Sequence, residues 1–394
     1  MDFSFTHEQI MLRRAAREFA EAEIAPWVMD WDEHQTYPLD AIKRLGKQGY
    51  LGAIFPEELG GAGLDYIDYC LILEELSRVD GSIGLIVAAH TSLCANHIFT
   101  KGSSAQRRKY LPPLASGESI GCWCLTEPDA GSDAGALRTT AVYDRDRWIV
   151  NGTKSFVTNA HCADVCVAMA ISDRGQGKHG ISALIIEKRT EGVHAGRKEN
   201  KMGLRASATG EVVFDNCAVA SDQLLGARGE GFIDGLTVLD GGRISIAALA
   251  IGMAQGAYDA ALRYAKGRKQ FGRAIAEFQL IQQKLADMSV ALDAARLLTY
   301  RAAWLMNLKK PVTQASATAK LFASEAALQI ANDALQIHGG YGFLKDYAVE
   351  KYYRDVRLCA LGEGTSEIQR LVIARRILAA AGNATCLGGL MIGQ

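Results

Sequence analysis

The sequence lacks the marks of a nucleic-acid binder, a secreted scaffold and a membrane protein. Its 43 lysines and arginines stand against 44 acidic residues, a formal net charge of −1 over 394 residues, so no surface built for a polyanion is implied. No uninterrupted apolar run reaches the ~18 residues that cross a bilayer; the longest candidate is Gly84 to Ala89. The opening stretch, Met1 to Ile10, enters a charged amphipathic pattern at once and has no apolar core of a secretory signal, which predicts a cytoplasmic protein. Nine cysteines, an odd number in a long chain, read as reduced core or strand residues and not as a disulfide framework. Cys122 and Cys124, and Cys162 and Cys166, have no Cys-x-x-Cys or His-x-x-His partner, so no metal site is expected. A Gly-x-Ser-x-Gly elbow and a strand-linked Gly-x-Gly-x-x-Gly are both missing, which argues against a serine hydrolase and a nicotinamide enzyme. There is no internal repeat and no low-complexity segment.

What is present is enough chain for two or three domains and a large core, with 49% hydrophobic and 22% charged residues. From Glu8 to about Ala25 apolar residues recur at helical spacing until Pro26. Leu39 to Gln48, Tyr66 to Val79 and Leu85 to Phe99 read as further helices, and Pro112 with Pro113 is expected to close this helical part. From Ser119 the period shortens. Ile120, Cys122 and Cys124 alternate, Trp148 to Thr158 follows with Asn151-Gly152 as a hairpin signal, and Val165–Ile171, Ile181–Ile186 and Glu211–Phe214 add short strands. No helix fits between them, which favours an antiparallel barrel or sandwich. Beyond Gly231 the helical period returns over Phe232–Lys266, Phe278–Leu308, Thr313–Ile337 and Ser366–Ala381, the pattern of an antiparallel bundle. The predicted division is 1–117 helical, 118–230 β and 231–394 helical.

Several segments carry chemistry. Glu363 lies between Gly362 and Gly364, on backbone that adds no bulk, and a helix follows with Thr365 as N-cap and Glu367 in its first turn; alone, such a glutamate is more often a turn residue. Trp123 to Asp133 runs off a strand into small and hydroxylated residues, either a ligand loop or an ordinary connection. Phe156 and Thr158 read by pattern alone more often as an inward and outward pair on a plain strand. Arg268 suits a pyrophosphate through its planar fork, or caps a helix dipole, which would leave Phe271 and Gln279 unaccounted for. Gln336 precedes Gly339 and Gly340, glycines that allow close backbone approach or simply end a helix.

Taken together and in this order, the segments resemble the acyl-CoA dehydrogenase family along nearly the whole chain. Leu361 to Arg370 is similar to its active-site segment, with Gly362 where a tyrosine is usual, and implies Glu363 as the catalytic base. Trp123, Leu125, Thr126 and Gly131 correspond to the stretch that lines the flavin, and Ser132 to the serine on the CoA chain. Phe156, Val157 and Thr158 stand where Trp-Ile-Thr meets the flavin ring; phenylalanine keeps an aromatic face and loses the indole donor. Arg268, Phe271 and Gln279 would reach the FAD of a neighbouring subunit, Gln336, Gly339 and Gly340 its adenosine part, and Thr365 and Glu367 the cofactor side of the loop. Asp240 and Arg243 mark the CoA site, with Gly362 and Gly364 beside the substrate. One branch of the family carries its glutamate at the position of Gly242 and not at that of Glu363; this chain follows the majority. The resemblance implies an all-α N-terminal domain, a β-barrel middle domain and a C-terminal four-helix bundle, a homotetramer, bound FAD, α,β-dehydrogenation of an acyl-CoA, and electron-transfer flavoprotein as acceptor. The missing tyrosine suggests short, branched, cyclic or aryl-bearing acyl groups. Two alternatives are a dicarboxylyl-CoA dehydrogenase, although the arginine that glutaryl-CoA dehydrogenases carry is absent from Gly84 to Leu93, and a flavin oxidase or monooxygenase on the same fold.

Overall fold

The computed structural model describes residues 3–381. The N-terminal part holds α1 (His7–Phe19), α2 (Val28–His34), α3 (Leu39–Lys47), α4 (Tyr66–Val79), α5 (Gly81–Ala88), α6 (Asn96–Lys101) and α7 (Ser104–Ser116). A capping box opens α1: the Gln9 N–H donates to the Thr6 hydroxyl at 3.2 Å while the Gln9 side chain accepts the Thr6 N–H at 3.1 Å. At Pro26 the helix widens to a π-turn over Ala20–Ile24 and tightens to a 3-10 turn over Ala25–Trp27, because the proline offers no amide to continue the ladder.

Leu85 to Phe99 is helical as expected, inside the continuous helical stretch Gly81–Lys101. Asp80 caps α5 at Ser82, and the helix widens through a π-turn, Ala89–Ala95, before continuing as α6. One expectation needs correction: Pro112 and Pro113 do not end the helical part. They lie inside α7, which runs on to Ser116 and stops at Gly117 in the left-handed region, with the Ser119 N–H donating to the Pro113 carbonyl at 2.9 Å.

The middle part is an eight-stranded sheet built from β1 (Gly121–Cys124), β2 (Thr140–Asp144), β3 (Arg147–Thr158), β4 (Val165–Ile171), β5 (Ile181–Glu187), β6 (Val193–Lys198), β7 (Thr209–Ala220) and β8 (Leu224–Leu225). The order is β6-β7-β3-β2-β4-β5-β8, with β1 beside β4 in parallel. Asn151-Gly152 is not the hairpin turn. That turn is Arg145-Asp146, with φ of 46° and 67°, the pair of left-handed residues a two-residue hairpin requires. Asn151 and Gly152 lie inside β3 at a register shift. A Cβ at Gly152 would come within 2.4 Å of the Thr139 hydroxyl, and the Asn151 side chain accepts the Asn216 N–H at 2.8 Å, so both residues serve a bulge.

On one face of β4 and β5, Val165, Val167, Met169, Ile181, Ala183 and Ile185 pack against Cys94, Ile98 and Leu114 of the helices. On the other face, Cys166, Ala168, Leu184 and Ile186 meet Trp148, Val150 and Phe214 of β3 and β7. Two halves of the sheet therefore enclose a shared core, as a barrel or sandwich does. Cys122, Cys124 and Cys166 meet there with their sulfurs within 4.8 Å of one another, a grouping that the spacing of the cysteines does not reveal.

The C-terminal part contains α8 (Gly231–Gly267), β9 (Lys269–Gln270) paired with β10 (Arg273–Ala274), α9 (Gln279–Asn307), α10 (Thr313–His338), α11 (Val349–Asp355) and α12 (Ser366–Ala381). Alanines at 247, 254, 257 and 261 of α8 and at 319, 323, 327 and 331 of α10 are fully or almost fully buried, and such small residues let helices approach closely. Gly81–Lys101 and α8 are long and apolar enough to cross a membrane by length and composition, but each apolar window is 89% buried inside the fold, the signature of core helices. The short α11 was not expected. Its Lys351 is buried between Asp80 at 2.7 Å and Asp355 at 2.5 Å, and the Asp355 carboxylate also accepts the Leu204 N–H at 2.6 Å.

Candidate active site

The loop between α11 and α12 turns back on itself as the Leu361 and Gly362 amides both donate to the Leu358 carbonyl at 2.8 Å. Gly362 does not supply the bend. Glu363 itself is left-handed, with φ 53°, followed by Gly364 at φ 90°. For a glutamate that conformation costs about 1–2 kcal/mol, so its surroundings must impose it. The Gln369 side-chain amide donates to the carbonyls of Glu363 at 3.1 Å and Gly364 at 2.9 Å. The Lys320 ammonium, buried in α10, donates to the Gly364 carbonyl at 2.6 Å. Thr365 accepts the Ile368 N–H at 3.3 Å and caps α12; Glu367 is exposed in the first turn, where backbone donors lower its pKa.

The Glu363 side chain points at α8. A Cβ built on Gly242 would fall 2.2 Å from Glu363 Oε2 and 2.8 Å from Leu93, so only glycine leaves room for the carboxylate there. Oε2 is buried and has no hydrogen-bond partner. Burial raises the Glu363 pKa to about 7 against the opposing charges of Lys320 and Arg243, which places a base at neutral pH. Leu93, which also approaches Gly242, packs with Val238, Leu239, Trp123 and Leu125 in an apolar cluster. Asp240 and Arg243 lie inside the protein and are tied to each other: Arg243 donates to Asp240 at 2.6 Å, and Thr313 donates to the other carboxylate oxygen at 2.6 Å. Arg243 also opposes the upward shift of Glu363, and its Nε is buried without a hydrogen-bond partner.

A second group gathers where β1 leads into its loop. The Trp123 indole donates to His97 Nδ1 at 3.1 Å. The Leu125 carbonyl accepts from Lys154 Nζ at 3.2 Å and the Thr126 carbonyl accepts the Ser155 N–H at 2.8 Å. Lys154, fully buried, also pairs with Glu127 at 2.7 Å, so this stretch is fastened to β3 from behind. Gly131 and Ser132 are exposed beyond it. Between Lys154 and Val157 the β3–β7 register shifts. Phe156 there has φ 56° and is 66% exposed, while Val157 is buried and Thr158 half-buried. Plain alternation does not describe this strand; the bulge turns an aromatic face outward.

A third group lines a cavity of about 1040 Å³ that includes Arg268, Phe271, Gln279, Gly339, Gly340 and Tyr341. Arg268 stacks on the Tyr341 ring at 5.3 Å. Phe271, at the β9–β10 turn with φ 53°, is 93% exposed. Gln336 is exposed and lies outside this lining. The two exposed aromatics, the groove with its arginine and glycines, and the buried base suit a large, flat, phosphate-bearing cofactor and a thioester beside it. Lys154, Lys320 and His97 carried no signal in the sequence, since a lysine or histidine in a helix or strand usually faces solvent.

Comparison with known proteins agrees with this geometry. The chain matches the family models described as acyl-CoA dehydrogenase N-terminal domain over residues 6–118, middle domain over 122–217 and C-terminal domain over 229–378. It is 47% identical to the short-chain specific acyl-CoA dehydrogenase of Clostridium acetobutylicum, over 96% of this chain and 100% of that one. It is 44% identical to the 3-(aryl)acrylate reductase of Clostridium sporogenes, over 95% and 99%. Among solved structures, butyryl-CoA dehydrogenase from Megasphaera elsdenii superposes with TM-score 0.94 at 40% identity, covering 96% of this chain and 100% of that one. A chain from a structure of the electron transferring flavoprotein of Acidaminococcus fermentans gives TM-score 0.95 at 46% identity, covering 96% and 100%. The chain belongs to the acyl-CoA dehydrogenase family, flavoprotein oxidoreductases that act on a CH–CH bond.

Proposed function

We propose that this protein converts a short, branched, cyclic or aryl-bearing acyl-CoA to its trans-2-enoyl-CoA, with Glu363 as the base. The observation that carries the reading is the buried, unpartnered Oε2 of Glu363 facing Gly242. Desolvation makes it accept the α-proton at working pH. The Glu363 N–H also has no acceptor among the described residues, which leaves it free to donate to the thioester oxygen as negative charge builds there. Leu93, Val238 and Leu239 exclude water from the reacting carbons. FAD, when bound, supplies the acceptor for the hydride that leaves the β-carbon. Phe156, Leu125 and Thr126 would hold its ring, Arg268, Gln279 and the glycines 339 and 340 its pyrophosphate and adenosine, with a homotetramer bringing neighbouring copies into reach. Electron-transfer flavoprotein is the proposed acceptor and the cytoplasm the proposed location.

Arg268→Ala is expected to drop the flavin-to-protein ratio after gel filtration well below stoichiometric. Arg268 stands just past the end of α8, stacked on Tyr341. Full flavin content with a lowered melting temperature would show a helix-capping role instead.

The acyl preference follows from Gly362. The three atoms nearest a Cβ there all belong to Leu358, at 3.6 Å; Tyr341, engaged by Arg268, and Phe343, 86% exposed, do not take the place of the usual ring. A distal carboxylate finds no cation on the helix from Gly84 to Leu93. Gly84 is pressed against Ser77, and His90, bonded at both ring nitrogens, is held neutral by burial with a pKa of about 4. The test is flavin bleaching by butyryl-, isobutyryl-, 2-methylbutyryl-, glutaryl-, cyclohexanecarboxyl- and arylalkanoyl-CoA, with and without oxygen. Bulky esters should bleach the flavin best, and oxygen should not restore its colour quickly. A clear preference for butyryl-CoA removes the wide pocket, and fast reoxidation by oxygen turns the assignment to an oxidase.

A further inference from the structure

We propose that Lys320 is a positioning residue for the base: its ammonium fixes the Glu363–Gly364 turn through the Gly364 carbonyl and supplies the positive charge that faces the Glu363 carboxylate. This rests on the reading of Glu363 as the base and adds to it how that carboxylate is held and kept ionisable.

Lys320 is fully buried and makes no ion pair among the described residues; its one hydrogen bond is to the Gly364 carbonyl at 2.6 Å. An ammonium without a counter-ion is costly to bury, and α10 could place an apolar side chain here as it does at Ala319 and Ala323. On the loop that Lys320 holds, the carboxylate oxygen without a hydrogen-bond partner is Glu363 Oε2. Gly364 is the link, because the bond that holds its carbonyl also fixes two successive left-handed residues. Released, the pair can relax toward ordinary backbone and carry the carboxylate off Gly242.

The charged and titratable groups around Glu363 support this assignment. From α8, Arg243 faces it, but that guanidinium is shared with Asp240. From the preceding turn, Cys359 has its thiol pushed up to about 12 by burial and is uncharged. From α12, Glu367 acts mainly through Lys320, and Arg376 acts on Asp240 and Arg243. Lys320 is the foremost charge opposing the upward shift of Glu363, and burial holds Lys320 itself at about 8. An opposite charge favours the ionised carboxylate, so losing Lys320 moves the Glu363 midpoint up.

The test is α-hydrogen exchange of butyryl-CoA in deuterated buffer, run anaerobically on the flavin-loaded enzyme from about pH 5.5 to 9, with the flavin-to-protein ratio measured in parallel. Wild type should exchange with a midpoint near 7. Lys320→Met should keep its flavin and move the midpoint up by about one unit. Lys320→Arg should restore the midpoint yet exchange more slowly at every pH, since a planar fork does not replace a point charge at one carbonyl. Gln369→Leu removes the other donor to Gly364 without touching a charge, and should lower the rate with no shift. An unshifted midpoint in Lys320→Met overturns the proposal. If that variant does not fold, Lys320→Gln is read the same way; if neither neutral variant folds, Lys320→Arg decides, and a wild-type rate there overturns it. Undiminished exchange by Glu363→Gln would instead remove the underlying assignment of the base.

Discussion

Glu363→Gln is expected to fold, bind flavin and lose α-proton transfer by about 10²- to 10⁴-fold, the range for removing a positioned general base. The amide is isosteric, so the turn held by Gln369 and Lys320 through backbone carbonyls stays intact, and the space in front of Gly242 stays filled. Only the titrating oxygen is lost. Wild-type proton transfer should rise with pH through a midpoint near 7, and the variant should show a low, flat profile. Stability gives an independent readout. A carboxyl whose folded pKa lies above its unfolded value favours the fold below the unfolded value, and that advantage is lost as pH rises through the folded one. Glu363→Gln should therefore be more stable than wild type at pH 8, with the difference closing toward pH 4.5. Comparable flavin bleaching by the variant would move the base elsewhere. Glu127, bound to Lys154, and Asp240, bound to Arg243 and Thr313, are already engaged.

The largest stability effect is expected far from that chemistry, at Lys351. Its ammonium bridges Asp80, which caps α5, and Asp355, which also fixes the Leu204 turn. All three side chains are buried, at 4%, 0% and 1% exposure. Lys351→Ala leaves two carboxylates buried and facing each other, and should cost about 3–5 kcal/mol in urea unfolding. Neutralising both acids as well, in Lys351→Met/Asp80→Asn/Asp355→Asn, should recover much of the loss, because the penalty comes from unpaired charge and not from lost packing. A loss under about 1 kcal/mol in the single variant would mean that water enters the site and screens it.

How much of this was legible depended on the range of the interaction that fixes each feature. Periodicity gives the bounds of α4 and α12 as they stand, with α8 and α9 differing from the reading by one residue at each end and α10 by one at its C-terminal end, because long apolar stripes repeat many times over. Single signals did worse. Asn151-Gly152 carries the commonest hairpin dipeptide, yet Thr139 and Asn216 across the sheet claim those residues for a bulge, and the unremarkable Arg145-Asp146 makes the turn. Glu363 is singled out by the resemblance of Leu361 to Arg370 to the family's active-site segment, since a glutamate between two glycines reads by itself as a turn residue. Lys320, Lys154 and Lys351 could not, since what makes each of them exceptional is a partner 44, 27 or 271 residues away.

Gly242 and Glu363 lie 121 positions apart in the chain yet contend for one volume, as the 2.2 Å between a Cβ at 242 and Oε2 of 363 shows. The carboxylate proposed as the base thus occupies a place that two different segments approach, α8 from one side and the loop before α12 from the other. A lineage can move its catalytic carboxylate from one segment to the other by a paired exchange of glutamate and glycine, without relocating the substrate. An alignment that tracks a single column would score such an exchange as loss of the enzyme. Family assignment at this site is better made by asking whether either column supplies the carboxylate while the other leaves it room.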